Sequence, residues 1–196
     1  MKIGVLGGTF DPIHKGHLII GEFARISAKL DKVIFIPSGT HPFKDNEVIT
    51  DPKIRCKMVE LAIKSNPYFE VSTIEIERTG INYTIDTIRY LKQEYKEAEI
   101  YFIIGSDILF EIEKWYEFEK LIKLCQFILF YRTDKEEKIS GIIHTLKARY
   151  DINIKKVNSP VLPISSTEIR QRIKQGKSIK YLVEENVEKY ILENNI

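Results

Sequence analysis

The sequence predicts an α/β protein built on a doubly wound parallel sheet. Three observations predict it. Short apolar runs that read as buried strands recur along the chain, stretches with apolar residues at helical spacing separate them, and the first run ends in Gly7-Gly8 and passes straight toward a helix. Strand–helix–strand units of this length close by right-handed crossovers, and sheets of this kind bind ligands beyond the carboxyl ends of their strands.

KIGVL, residues 2–6, is the first strand. From Gly16 onward, Leu18, Ile19, Ile20, Phe23, Ala24 and Ile26 form an apolar helical stripe. KVIFIP at 32–37 is the second strand. Asp51 as N-cap and Pro52 at the first helical position then open a helix with Ile54, Met58, Leu61 and Ala62 on one face. FEVSTIEI at 69–76 alternates as a third strand, and TIDTIRYLKQEY at 84–95 is helical through Ile85, Ile88 and Leu91. IYFIIG at 100–105 is the most hydrophobic strand; QFILFYR at 126–132 and the weaker INIKKV at 152–157 follow, with DKEEK at 134–138 as a solvated turn.

ISSTEI at 164–169 fits a capping box, with Ser165 as N-cap, Glu168 three residues on, and Ile164 and Ile169 spaced for a hydrophobic staple. VEENVEKYILEN at 183–194 is a closing helix. The whole, 1–196, reads as one domain in which 165–196 form a small C-terminal helical subdomain.

Composition narrows the function. Hydrophobic residues at 43% and charged residues at 30% of 196 are those of a globular protein in solution, which argues against disorder and membrane classes. A net charge of +2 without a long Lys/Arg run gives nucleic acid no support. Cys56 and Cys125 stand far apart, with no CxxC and no adjacent histidine, so neither a disulfide framework nor a zinc site is indicated and a reducing cytoplasm is the expected location. The apolar run in MKIGVLGG is far too short for a signal peptide or a membrane span.

The chemistry concentrates in GGTFDPIHKGHL, residues 7–18. No GxGxxG follows the first strand, GKS at 176–178 lacks the first glycine of a Walker A loop because Gln171 stands there, and no GxSxG occurs. His14 and His17 have no third ligand nearby that would make a metal site. Their spacing instead puts both imidazoles on one face at the first turn of a helix, where free N–H groups and the positive end of the dipole favour an anion. ISSTEIR offers a second such terminus, with the hydroxyls of Ser166 and Thr167 and, one turn on, the guanidinium of Arg170. Two phosphate-binding helix starts in one chain are the feature that a simple turn does not explain.

GTFDPIHKGH together with ISSTEIR resembles the HxGH nucleotidyltransferase superfamily, relatives of the class I aminoacyl-tRNA synthetases. IPSGTHPFK at 36–44, ERTGINYTIDT at 77–87, IIGSDIL at 103–109 and KWY at 114–116 are similar to the bacterial nicotinate-nucleotide adenylyltransferases within it. The resemblance covers nearly the whole chain and implies a Rossmann-like nucleotidyltransferase fold. It implies that ATP is held by the backbone of Gly8, Thr9 and Phe10, by His14 and His17, by Gly105 and Asp107, by Arg132, and by Ser166, Thr167 and Arg170. It makes His14, His17, Lys44 and Arg170 the catalytic set, and assigns the pyridine ring and its carboxylate to Thr84, Trp115 and Tyr116. Taken without the resemblance, Trp115 reads as a core anchor, Asp107 as a helix cap and Arg132 as a residue leaving a strand. One departure stands out: this chain has HPFK where the family usually has PPHK, so Phe43 takes the histidine's place and His41 that of the first proline, and the histidine's role passes to neither.

The implied reaction joins ATP and nicotinate mononucleotide, with Mg2+ arriving on the ATP and held mostly by phosphates and water. No strong base is needed, because the attacking phosphate has a second pKa near ~6. Repulsion between anions and charge on the departing pyrophosphate call for positioning and cationic donors, the part expected of His14, His17, Lys44 and Arg170. Sibling transferases acting on nicotinamide mononucleotide or phosphopantetheine share both phosphate signatures, and a nucleotide-binding sensor without turnover shares the fold. A homo-oligomer is compatible with all of these readings.

Overall fold

The structure is a computed structural model that describes residues 1–39, 49–131, 136–158 and 162–196, with the backbone alone at Glu136. Its strands are β1 (Lys2–Gly8), β2 (Lys32–Pro37), β3 (Phe69–Val71), β4 (Glu99–Gly105), β5 (Gln126–Tyr131) and β6 (Ile154–Asn158). Its helices are α1 (Lys15–Ala28), α2 (Pro52–Ile63), α3 (Ile74–Glu77), α4 (Thr84–Glu94), α5 (Ser106–Leu109), α6 (Phe118–Leu124), α7 (Glu136–Arg149), α8 (Ser166–Lys174) and α9 (Glu185–Asn194). The strands lie in the order β3-β2-β1-β4-β5-β6, and the pairs β1/β4, β4/β5 and β5/β6 are parallel. This is the doubly wound order, in which the direction of winding reverses at β1. Residues leaving the carboxyl end of β1 therefore occupy the place where such sheets bind ligands.

Three expectations need correction. The run 69–76 is strand only through Val71. Ser72 and Thr73 then turn the chain: the Ser72 hydroxyl accepts from the Ile74 N–H at 3.5 Å and the Thr73 hydroxyl donates to Glu77 at 2.5 Å, so local hydroxyl bonds replace a ladder and start α3. The stretch 136–138, read as part of a solvated turn, opens α7, whose buried Ile139, Ile143 and Leu146 supply the apolar face; 134 and 135 lie outside the described residues. In α1 the stripe is displaced. Gly21, Ala24 and Ala28 are buried while Phe23 and Ile26 are exposed, because close packing of a helix selects its small residues.

The described chain divides into two compact units, Met1–Leu6 with Ile20–Val33 and Tyr83–Pro160, and Gly7–Ile19 with Ile34–Asn82 and Val161–Ile196. In the first, Ile3, Val5, Phe127, Ile128 and Leu129 are fully buried, and each large side chain so buried contributes about 1.5–3 kcal/mol. In the second, Phe10, Phe35 and Phe69 form a run of tilted rings with centroids 6.0 and 5.0 Å apart, and α2 packs on α9. The C-terminal helices thus group with the turn after β1. Among the described residues no helix is long and apolar enough to cross a membrane.

Candidate active site

The turn after β1 is built for close approach to the main chain. Phe10 has a left-handed backbone (φ 51°), and its ring is buried against Phe35 and against the edge of His17, 5.0 Å away. A non-glycine residue in that region is strained, and burying the ring offsets the cost. His14 lies just before α1 and His17 in its first turn. Their rings stack at 3.7 Å with 25° between planes, which requires Gly16, since a Cβ there would lie 2.9 Å from His14 Nδ1.

The hydrogen bonds fix the proton on one ring. The His14 backbone N–H donates to His17 Nδ1 at 3.2 Å, so that nitrogen carries the lone pair and Nε2 carries the hydrogen. Both imidazoles are buried. Burial brings His14 down to about 4, and burial together with the neighbouring His14 holds His17 well below the usual histidine range. The expectation of cationic histidines is therefore corrected: desolvation keeps both rings neutral at pH 7, and His17 can serve as a neutral donor through Nε2–H. His14 Nδ1 is buried and without a hydrogen-bond partner among the described residues.

The start of α8 meets this turn. Ser165 caps the helix by accepting from the Glu168 N–H at 3.1 Å, as the capping-box pattern predicts, while Glu168 reaches Arg172 at 3.5 Å. Ser166 donates to the Pro12 carbonyl at 2.9 Å, and Arg170 Nη1 donates to the Asp11 carbonyl at 2.6 Å. A cavity of about 230 Å³ results, lined by Thr9, Phe10, Asp11, His17, Ile49, Ser166, Thr167 and Arg170. It combines a cationic guanidinium, hydroxyls, a neutral imidazole donor and the unpaired N–H groups of a helix start, a donor set suited to a polyanion.

The site residues expected from the sequence thus fall into groups. Thr9, Phe10, His17, Ser166, Thr167 and Arg170 line one cavity; His14 stacks behind His17, and Gly8 ends β1 just before it. Lys44 and Arg132 lie outside the described residues, as do His41 and Phe43. Gly105, Asp107, Thr84, Trp115 and Tyr116 belong to the other unit. There Gly105 precedes α5, and a Cβ on it would stand 2.5 Å from the Asp107 carboxylate, which folds back over it. Thr84 is the first residue of α4. The Tyr83 ring beside it lies 4.4 Å from that of Tyr116, and the Arg89–Glu117 pair further ties α4 to the segment after Tyr116. Trp115 meets Phe102 edge-on at 5.7 Å and borders a larger groove of about 500 Å³. That groove carries Glu113, Glu117 and Glu119 against Lys120 and Lys123, a poor match for an anionic substrate despite its size. Among the described residues no group of three His, Cys, Asp or Glu is placed to hold a metal ion.

One residue of the site escaped the sequence reading. Arg55, on α2, is 1% exposed and donates to three main-chain carbonyls: Nε to Thr50 at 2.9 Å, Nη1 to Thr9 at 2.6 Å and Nη2 to Ser38 at 2.7 Å. The expected face of Ile54, Met58, Leu61 and Ala62 is turned: Ile54 and Leu61 are half-buried, while Arg55, Met58, Val59 and Ala62 are buried together, so an arginine heads the buried face of α2.

Comparison with known proteins identifies the family. A family model described as Cytidylyltransferase-like matches residues 5–172. The chain is 47% identical over 193 residues to a protein named "Probable nicotinate-nucleotide adenylyltransferase" from Thermoanaerobacter sp. (strain X514), covering 97% of this chain and 92% of that one. A protein of the same name from Dictyoglomus turgidum (strain DSM 6724 / Z-1310) is 44% identical, with 100% and 95% covered. Among solved structures, the Plasmodium falciparum nicotinic acid mononucleotide adenylyltransferase complexed with NaAD shares the fold at a TM-score of 0.79, with 22% identity and 100% and 96% of the two chains covered. Matched by that family model over residues 5–172 and by these relatives over 92% or more of either chain, the chain belongs to the nicotinate-nucleotide adenylyltransferase family of cytidylyltransferase-like proteins.

Proposed function

We infer that this protein transfers the adenylyl group of ATP to nicotinate mononucleotide, giving nicotinate adenine dinucleotide and pyrophosphate, a step of NAD biosynthesis. The observation that carries the reading is the cavity in which the turn after β1 and the start of α8 place Thr9, His17, Ser166, Thr167 and Arg170 around one volume. An oxygen of the nicotinate mononucleotide phosphate attacks the α-phosphorus of ATP in line. A new P–O bond forms, the bond from the α-phosphorus to the bridging oxygen breaks, and pyrophosphate departs with the electron pair. The nucleophile is already ionised at neutral pH, so the protein's task is to hold and neutralise phosphates.

Arg170 supplies a permanent positive charge and His17 a neutral Nε2–H, both held by main-chain bonds before substrate arrives. Such preorganised donors act on charge that develops in the transition state. Lys44 completes the cationic set in this reading. Mg2+ enters as part of the ATP substrate and is held by its phosphates and water. Thr84, Trp115 and Tyr116 take the pyridine nucleotide, and the reaction belongs in the cytoplasm, where the buried free thiols of Cys56 and Cys125 stay reduced.

Pyrophosphate release from Mg-ATP tests the reading with three acceptors in parallel. Release with nicotinate mononucleotide, at least tenfold faster than with nicotinamide mononucleotide and absent with phosphopantetheine, is the expected outcome. Release with phosphopantetheine alone, or with none of the three, would sink it.

A further inference from the structure

We propose that Arg55 is a positioning residue for adenylyl transfer, holding the main chain of the phosphate turn in its catalytic geometry. The proposal rests on the activity inferred above. Arg55 does not line the cavity; it acts through the Thr9 carbonyl, which it grips at 2.6 Å, and Thr9 and Phe10 do line it. In a trans peptide the carbonyl and the following N–H point in opposite directions. Drawing the Thr9 carbonyl toward Arg55 therefore aims the Phe10 N–H away from Arg55, and a charge-assisted bond at the oxygen polarises that peptide into a stronger donor. The same peptide leads into the left-handed Phe10, a conformation that persists where its surroundings over-determine it.

The other two bonds extend the grip. Ser38 follows β2 and Thr50 precedes α2; Ser38 N–H also donates to the Gly8 carbonyl at 2.9 Å, and Thr50 N–H to the Asp11 carboxylate at 3.3 Å. One guanidinium thus ties three loop segments that already touch one another. All of its partners are loop carbonyls. Three separate N–H groups in one plane suit arginine, whereas lysine offers a single point of donation. Stability does not explain the choice, since a buried charge is costly and an apolar side chain of similar volume is often as stable. Asp11 and Asp51 face the guanidinium and partly offset its burial.

The test compares Arg55→Met and Arg55→Lys with the wild-type protein. It reads kcat and KM from pyrophosphate release with Mg-ATP and nicotinate mononucleotide, Mg-ATP affinity by calorimetry, and folding by urea titration. A displacement of about 1 Å in a donor costs about 100-fold in rate. The expected result is two folded variants, with kcat lowered about 100-fold in Arg55→Met and by a smaller factor in Arg55→Lys, while Mg-ATP affinity changes by less than about threefold. A folded Arg55→Met whose kcat stays within about threefold of wild type would overturn the proposal, as would a loss confined to KM. If neither variant folds, Arg55 is a requirement of the fold and the positioning role is equally overturned. Absence of pyrophosphate release from the wild-type protein itself would instead overturn the activity reading.

Discussion

The turn at residues 7–17 and the segments around Thr84 and Tyr116 are both expected to hold substrate, yet they are built in opposite ways. In the first, three of the polar groups that shape the site are held by the main chain: His17 by the His14 N–H, Arg170 by the Asp11 carbonyl, Ser166 by the Pro12 carbonyl. In the second, Tyr116 is 53% exposed, its ring lies on that of Tyr83, and the supporting ion pairs of Arg89 with Glu117 and Asp86 are half-buried and join side chains alone. Phosphates demand fixed donors, because charge moves during the reaction and reorganisation would cost rate. A planar ring that does not react needs only a surface to lie on, and exposed aromatics supply one at small entropic cost.

The comparison breaks most visibly at His17. Replacing it with Ala removes a preorganised donor and is expected to lower kcat by about 100-fold or more, with a much smaller change in KM for ATP. Steady-state kinetics in both substrates checks this, and equal losses in kcat and ATP affinity would mean that His17 binds the ground state alone.

Acid should distinguish the two regions next. The unfolded chain takes up a proton at His14 near the ordinary value of 6.5, whereas the folded state resists until about 4. Stability attributable to keeping this ring neutral is present above 6.5, falls as pH drops from 6.5 to 4, and levels off below, by an amount on the order of 3 kcal/mol. Urea midpoints measured across that window should fall more steeply in the wild-type protein than in His14→Gln, and parallel curves would remove His14 as the cause.

Smaller effects belong to the other region. Tyr116→Ala should raise KM for nicotinate mononucleotide about tenfold and leave KM for ATP within about twofold, consistent with loss of a stacking surface worth about 1 kcal/mol. A selective rise in the ATP value instead would reverse the assignment of the two regions. Least of all, Arg89→Gln should cost less than about 1 kcal/mol in urea titration, because its half-buried ion pairs still reach solvent and are screened. A larger loss would show that this region is as rigidly held as the first.

The sequence reveals this contrast unevenly, for physical reasons. KVIFIP at 32–37 is strand over its whole length because a buried parallel strand is apolar without interruption. The residues that meet around this cavity were legible since they have strong local preferences: glycine where a ring must pass, Ser165 at a helix start, hydroxyls and arginine one turn on. FEVSTIEI misled because alternation ignores what Ser72 and Thr73 do to the backbone, and α1 misled because a pattern of large apolar residues passes over Gly21 and Ala28 and includes the exposed Phe23 and Ile26. Arg55 stayed hidden since its value depends on three carbonyls up to 46 positions away, which no local pattern contains.

The bonds from Ser166 to Pro12 and from Arg170 to Asp11 join positions 154 and 159 residues apart. They bear on the order in which the molecule becomes competent. During synthesis the glycine turn and its histidines emerge well before the groups of α8 that close the cavity. A growing chain therefore carries one side of this cavity alone until α8 emerges. Any binding that needs both sides of the cavity has to wait until α8 has been made and has found the turn, which couples the assembly of this volume to the making of α8.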